Sequence, residues 1–103
     1  MEIKYLEKVS EFIDSLGIDL KKKVESITTM LEEKGHLIDM PFSKALGKGL
    51  FELRIIQAEH IRIFYCFHGG KAYLLHGFVK KTWRIPKREL EKAHVLKSIV
   101  DSL

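Results

Sequence analysis

The stretch FELRIIQAEHIRIFY, residues 51–65, contains two short apolar runs separated by a polar middle. This pattern is typical of a β-hairpin. If Gln57, Ala58 and Glu59 form the loop, Arg54 lies directly opposite Arg62. Like charges that face each other across a ladder destabilise a sheet, by roughly 0.2–1 kcal/mol. The hairpin therefore places two guanidinium groups side by side on one sheet face. This arrangement lowers the stability of the sheet, so its presence needs an explanation.

The sequence around this hairpin predicts three antiparallel strands, over about 50–56, 60–68 and 71–79. Gly69 and Gly70 favour a tight second turn, because such turns need positive φ angles. Alternation predicts that one face carries the core, formed by Phe51, Leu53, Ile55, Ile61, Ile63, Tyr65 and Phe67. The other face carries Glu52, Arg54, His60, Arg62, Phe64 and Cys66.

Helical patterns flank the strands. Apolar residues at helical spacing predict a helix that ends at Gly17 and a second one, capped by Asp19, that ends at Gly35. Residues 36–49 read as a loop with at most one helical turn. Pro86 suits the first turn of a last helix. We therefore expect an α/β (α+β) fold with one domain over residues 1–103, in which two N-terminal helices pack on a small antiparallel sheet and a C-terminal helix partly covers its other face.

Composition limits the class of protein. The chain has 103 residues, of which 46% are hydrophobic and 31% charged, as in a soluble globular domain. The longest uninterrupted apolar stretch, Ile63 to Phe67, is far shorter than the ~20 residues that span a bilayer. The first residues lack the pattern of a signal peptide, and Cys66 has no second cysteine to pair with. We expect a cytoplasmic protein that does not associate with membranes.

Charge is unevenly distributed along the chain. Residues 1–39 contain nine acidic and six basic residues, whereas residues 40–103 contain five acidic and twelve basic ones. Such an asymmetry favours a face that binds a polyanion, although lysines also keep small proteins soluble. The five histidines are not spaced as metal ligands, so neither a metal nor another cofactor is expected. Cys66, inside a strand, reads as a small buried hydrophobe.

The segment FVKKTWRIPKR, residues 78–88, contains five basic residues, no acidic residue and a tryptophan. Lys80, Lys81 and Arg84 are suited to phosphates, and Trp83 to stacking on a base. The alternative, equally open from spacing alone, is a solvated helix start with Trp83 packed on the core. The arginine pair has a related explanation, because a phosphate can accept hydrogen bonds from both guanidinium groups. Alternatively, Glu52 or Glu59 neutralises the pair. If repulsion dominates, Arg62→Gln should be at least as stable as the parent.

Four segments, SKALGKGLFELRI (43–55), HIRIFYCF (60–67), LLHGFVKKT (74–82) and PKRELEKA (86–93), occur in this order. Together these segments resemble the RelE/HigB superfamily of type II toxins, in its phage-derived HigB-like branch. The resemblance implies a RelE-like microbial ribonuclease fold and a metal-free mRNA endoribonuclease that acts on the ribosome. It also implies a cognate helix-turn-helix antitoxin as partner.

The resemblance implies roles for individual residues. Arg62 would stabilise the phosphate with help from Arg54, and Lys80 and Lys81 would be catalytic or grip the RNA. Lys44 and Lys48 would belong to a basic RNA-binding loop before the sheet. The general acid and base are not obvious, and Tyr65, His76 and Lys80 are all candidates. Two other functions stay open: a non-catalytic module that blocks translation by occupying RNA or the ribosome, and an interaction protein whose basic face binds an acidic partner.

Overall fold

The computed structural model describes residues 1–57 and 59–103, so Ala58 of the predicted hairpin loop lies outside the described residues. Three α-helices pack on a five-stranded sheet whose order is β1-β5-β4-β3-β2. Along the chain the elements are β1 (Glu2–Tyr5), α1 (Glu7–Asp14), α2 (Ile18–Lys34), a 3-10 turn (Gly35–Leu37), β2 (Ser43–Gly47), β3 (Leu50–Ile56), β4 (His60–His68), β5 (Lys71–Val79) and α3 (Lys87–Asp101).

The central hairpin has the predicted register. Ile56 pairs with His60, and Arg54 pairs with Arg62. The three strands predicted from the sequence are confirmed, and so is the turn between β4 and β5, where Gly69 and Gly70 have φ angles of 57° and 75°. A bulge between Phe64 and Tyr65 shifts the pairing of β4 with β5.

The sheet separates two apolar clusters, one on each face. The predicted core face packs against α1 and α2, where Leu53, Ile63 and Tyr65 meet Val9 and Leu31. On the other face, Phe64 and Cys66 pack beneath Ala93 and Val100 of α3. Both assignments agree with the alternation read from the sequence. The cluster beneath α3 also includes Leu50, Leu75 and Phe78. Farther along that face, His60 and Arg62 line a cleft.

The structure corrects three predictions. The sheet is mixed rather than antiparallel, because β1 pairs in parallel with residues 71–74 of β5. The predicted loop over 36–49 contains a strand, β2, which forms the edge of the sheet beside β3. Asp19 does not cap α2: the helix begins at Ile18 after Gly17, which has no side chain to offer, and Asp19 lies in the first turn. A carboxylate there still interacts favourably with the helix dipole.

A cationic cleft at the end of the sheet

The register places the basic side chains of the second face in neighbouring rows. One row contains Arg54 and Arg62, and the next contains His60 opposite Ile56. The backbone N–H of Lys80 donates to the carbonyl oxygen of His60 over 2.7 Å, which extends that row onto the end of β5. Side chains two residues apart on a strand share a face. Arg54, Arg62 and His60 therefore converge on the end of the sheet that α3 leaves uncovered.

Glu52 lies between the two arginines. Its Oε1 atom is 3.8 Å from Nε of Arg54 and 3.7 Å from Nε of Arg62. Arg62 and Glu52 are only 2% and 3% exposed. The neutralising partner that the sequence left open is thus Glu52, within the same strand as Arg54. Two cations share one carboxylate, which leaves one positive charge in excess.

The contacts within this group, which we call the Arg–Glu–Arg cluster (Glu52, Arg54 and Arg62), are ion pairs without short hydrogen bonds. Oε2 of Glu52 and the Nε atoms of both arginines are buried and have no hydrogen-bond partner among the described residues. Other donors are engaged: Nη1 of Arg62 donates to the carbonyl oxygen of Ile61 over 3.2 Å, and Nη1 of Arg54 to the sulfur of Met40 over 3.4 Å. Burial lowers the pKa of the Arg62 guanidinium; Glu52 opposes this shift and Arg54 adds to it.

Arg62 forms the buried floor of a surface cleft of about 460 Å³. The cleft is lined by His60, Arg62, Lys80, Lys81, Thr82 and Trp83. These side chains come from β4 and from the segment between β5 and α3. Lysines beside a guanidinium create a positive potential that attracts anions. The cleft thus joins three of the predicted phosphate-binding cations to a tryptophan.

Trp83 is 97% exposed, so it is not part of the core. The segment that carries it is stabilised locally, because the Thr82 hydroxyl donates to the carbonyl oxygen of Arg84 over 2.8 Å. Of the two alternatives the sequence left open for Trp83, packing on the core is wrong. An exposed indole beside lysines has the features that base stacking requires.

The other basic candidates lie at different distances from the cleft. Lys44 is exposed on the edge strand and pairs with Glu52, in the row next to the arginines. Arg84 is exposed in the same segment as Trp83 but does not line the cleft. Lys48 lies in the turn between β2 and β3, at the opposite end of β3 from Arg54. The predicted basic loop is therefore a hairpin, which places Lys44 opposite Glu52 on the edge strand, and neither Lys44 nor Lys48 lines the cleft.

Tyr65 and His76, two candidates for the general acid or base, lie elsewhere. Tyr65 is 1% exposed on the core face, where its hydroxyl and that of Ser43 are 2.6 Å apart; burial raises its pKa, and the bond to Ser43 opposes that rise. His76 Nε2 lies 2.5 Å from Oε2 of Glu89 at the start of α3. Tyr65 therefore lies on the face opposite the cleft. His76 lies on the same face as Phe64 but is engaged with α3, and neither side chain lines the cleft.

Cys66 is fully buried beneath α3, as expected of a small hydrophobe. Burial raises the pKa of its thiol to about 11. Among residues 1–57 and 59–103, no group of three or more histidines, cysteines or carboxylates could hold a metal ion. Within the same part of the chain, no helix combines the length and the apolar character needed to cross a membrane.

Sequence reasoning gave no functional role to two residues of this region. The sequence predicts Glu52 only as a possible neutralising neighbour of the arginines, whereas in the structure it lies at the centre of the cluster. The sequence predicts the face on which His60 lies but no site role for it, although it lines the cleft. The signal for both was the alternation, which puts them on the same face as Arg54 and Arg62.

The chain is therefore a mixed α/β domain with a cationic cleft at one end of its sheet. Its sequence matches the family described as "Phage derived protein Gp49-like (DUF891)" over residues 11–98. Because the match covers most of the chain, the protein belongs to this family. The family is part of the RelE-like toxin group and is associated with the toxins of toxin–antitoxin systems, and the architecture is consistent with the RelE-like fold. No curated protein matches the sequence significantly.

Proposed function

We propose that the protein is a HigB-like toxin of a type II toxin–antitoxin system that cleaves mRNA on the ribosome and thereby inhibits translation. The observation that carries this proposal is the cleft, in which Arg62, Lys80 and Lys81 lie together beside an exposed Trp83. The family supports a toxin. The cleft chemistry supports RNA as its target.

The RNA would enter through contacts that do not depend on its sequence. Lys80 and Lys81 would neutralise phosphates, and Trp83 would stack on an unpaired base. Single-stranded RNA offers both groups at once, whereas the bases of a duplex are already stacked. The exposure of Trp83 supports this mode, because the indole is available without rearrangement of the core.

In the proposed reaction, the 2′-hydroxyl of one nucleotide attacks the adjoining phosphate. The bond from O2′ to phosphorus forms while the bond from phosphorus to the 5′-oxygen breaks, which leaves a 2′,3′-cyclic phosphate and a 5′-hydroxyl. The developing negative charge would lie over Arg62, whose guanidinium is fixed by the sheet. A preorganised donor of this kind contributes about 10²–10³ in rate in other enzymes. Arg54 would add positive charge, and Lys80 is a candidate to protonate the leaving oxygen.

A second function is favoured by one observation. The Glu52 carboxylate already lies within 3.8 Å of both guanidinium groups, which reduces the positive charge that they present to a phosphate. The protein would then block translation by occupying RNA or the ribosome without cutting. This alternative shares the cleft and the RNA-binding residues but needs no base or acid.

The test is expression in a bacterial host without any partner, followed by mapping of mRNA 5′ ends. We expect growth arrest and new 5′ ends within translated codons. The RNA fragments should carry a 2′,3′-cyclic phosphate and a 5′-hydroxyl, as the proposed reaction requires. Growth arrest with intact transcripts would favour occupancy instead. A protein that neither arrests growth nor cuts RNA would contradict both functions.

The proposed system includes a partner, a helix-turn-helix antitoxin that represses its own expression and neutralises this chain in the cytoplasm. The cationic cleft supports an acidic segment of the antitoxin as the neutralising element, because such a segment can fold against complementary charge. Crosslinking of a reconstituted complex tests this interaction. Crosslinks that avoid both the cleft and the first two helices would argue against it.

A further inference from the structure

The proposed reaction needs a group that accepts the proton of the 2′-hydroxyl. Of the three candidates chosen from the sequence, only Lys80 lines the cleft, and it is the candidate to protonate the leaving oxygen. Tyr65 is buried on the core face and His76 is engaged with Glu89. A general base must lie within hydrogen-bond reach of the proton that it removes. We therefore expect the base to be one of the side chains that line the cleft.

We infer that His60 is this general base, an inference that rests on the proposed function. His60 lines the cleft together with Arg62, two residues along the same strand and on the same face. Its backbone carbonyl is fixed by the bond from Lys80, and its side chain is exposed at the strand end. The strand thus places His60 next to Arg62 on one face of the sheet, while the His60 side chain remains exposed.

The chemistry of the cleft singles out this residue. Among its described lining residues, His60 is the only one whose side chain offers a ring nitrogen as a proton acceptor. Lysine and arginine are ordinarily charged between pH 5 and 8 and act as donors, and threonine and tryptophan do not titrate. A neutral imidazole accepts a proton at one nitrogen, which is what attack by the 2′-hydroxyl requires.

The groups around His60 are consistent with a working base. Lys80 and Lys81 face it from the end of β5, Arg62 from its own strand, and Ile56 from β3. Glu59 precedes it and lines an adjoining depression with His60, Lys80 and Lys81. No side-chain hydrogen bond or ion pair within residues 1–57 and 59–103 engages the imidazole. A phosphate attracted by the cations would therefore approach an imidazole that is free to accept a proton.

Single-turnover cleavage on programmed ribosomes, measured from pH 5 to 9 with wild type and His60→Gln, tests the inference. We expect the His60→Gln rate to fall by about 10²–10⁴, the usual contribution of a general base. The wild-type rate should rise with pH on the acidic side and then level off, and this rise should be lost in His60→Gln. The affinity for the ribosome should change less than twofold, because the missing step is chemical. His68→Gln, at the other end of the same strand, is the matched control and should behave as wild type.

The possible outcomes distinguish a failure of the proposed function from a failure of the role assigned to His60. A wild-type protein that does not cleave RNA would overturn the proposed function, and with it the role of His60. An active wild type whose His60→Gln variant keeps both the rate and the acidic limb would overturn only the role of His60. A wild-type rate that falls with rising pH, with that fall lost in His60→Gln, would make His60 an acid and overturn its assignment as the base. A loss of ribosome affinity that accounts for the whole rate change would make it a binding residue.

Discussion

Nε of Arg62 lies 3.7 Å from Oε1 of Glu52, and both side chains are almost completely buried. Arg54 approaches the same oxygen from the neighbouring position on its strand. The cross-strand repulsion expected from the sequence is therefore offset by a carboxylate between the two cations. This geometry reverses the expectation that removing Arg62 should leave the protein at least as stable, because the removal would now break a buried ion pair.

Substitution of Glu52 tests the balance of charge in the Arg–Glu–Arg cluster. Glu52→Gln should lower the free energy of unfolding by about 3 kcal/mol or more, since breaking a buried pair leaves uncompensated charge. Arg62→Gln should cost less, because Arg54 still faces Glu52. Chemical denaturation measures both. The control is Glu2→Gln, which removes exposed pairs with Lys4 and Lys71 and should change stability by less than about 1 kcal/mol. Equal stability of Glu52→Gln and wild type would show that the carboxylate is not needed to hold the arginines.

Two substitutions in the cleft separate stacking from phosphate contact. Trp83→Ala should leave the melting temperature unchanged, because the side chain is 97% exposed, and should weaken binding of single-stranded RNA by about 1–3 kcal/mol. Lys81→Ala should reduce the slope of log affinity against log salt by roughly 0.7. Lys22→Ala, on the exposed side of α2, is the control for lysine removal. A salt slope that falls equally in Lys81→Ala and Lys22→Ala would contradict a specific role for Lys81.

Gly77 on β5 is expected to tolerate no side chain. A Cβ atom there would lie 2.5 Å from the ring of Phe12 on α1, so Gly77→Ala should destabilise the protein by about 1–3 kcal/mol through overpacking. The matched control is Gly17→Ala, because a Cβ at Gly17 would meet nothing within 4 Å and its φ angle is −65°. Thermal unfolding of both variants measures the difference in stability. If both melt at the same temperature, the packing of Phe12 on Gly77 is not a constraint.

The pair of His76 and Glu89 should make stability depend on acid pH. Burial raises the pKa of Glu89, but the hydrogen bond and charge of His76, with Lys92 and Arg88, outweigh it and hold the pKa below its usual 4.5. A lowered folded pKa means stability that is present above pH 4.5 and is lost as the pH falls through the folded pKa. Glu89→Gln should therefore flatten the dependence of stability on pH below 4.5. Glu91→Gln, on the exposed side of α3, should retain it.

Cys66 should be chemically silent in the folded protein. With a pKa of about 11, only about one thiol in a thousand is ionised at pH 8, and the side chain is fully buried. A disulfide-exchange reagent should react at the rate of unfolding, and rapidly once guanidinium chloride is added. Fast labelling of the native protein would show that α3 opens readily from the sheet.

The central strands could be predicted because their information is local. The hairpin register follows from the alternation on each side of a short loop, and Gly69 and Gly70 mark the next turn. The edges of the sheet were missed for a physical reason. Residues 2–5 have only four positions to alternate, and their parallel pairing with residues 71–74 is distant in sequence. The strand Ser43–Gly47 contains lysine, alanine and glycine, which favour strands weakly, so β3 rather than intrinsic preference holds it in place.

The site was predicted in part for a similar reason. The alternation of side chains along the strands predicts that Arg54, Arg62 and His60 share one face. The position of the Trp83 segment beside Arg62, in contrast, depends on how the chain leaves β5 and enters α3. Local patterns do not encode that path. Nor could they show that Glu52 would be buried between two cations, because burial there results from the packing of several elements at once.

The exposure of Trp83 has a practical consequence for spectroscopy. It is the only tryptophan of the chain, so the intrinsic fluorescence of the protein comes mainly from an indole already surrounded by solvent. Its emission should therefore shift little when the protein unfolds, and denaturation is better followed by circular dichroism. The same indole should be quenched when a nucleobase stacks on it. The protein thus carries a built-in optical reporter for whatever enters the cleft, with little interference from the state of the core.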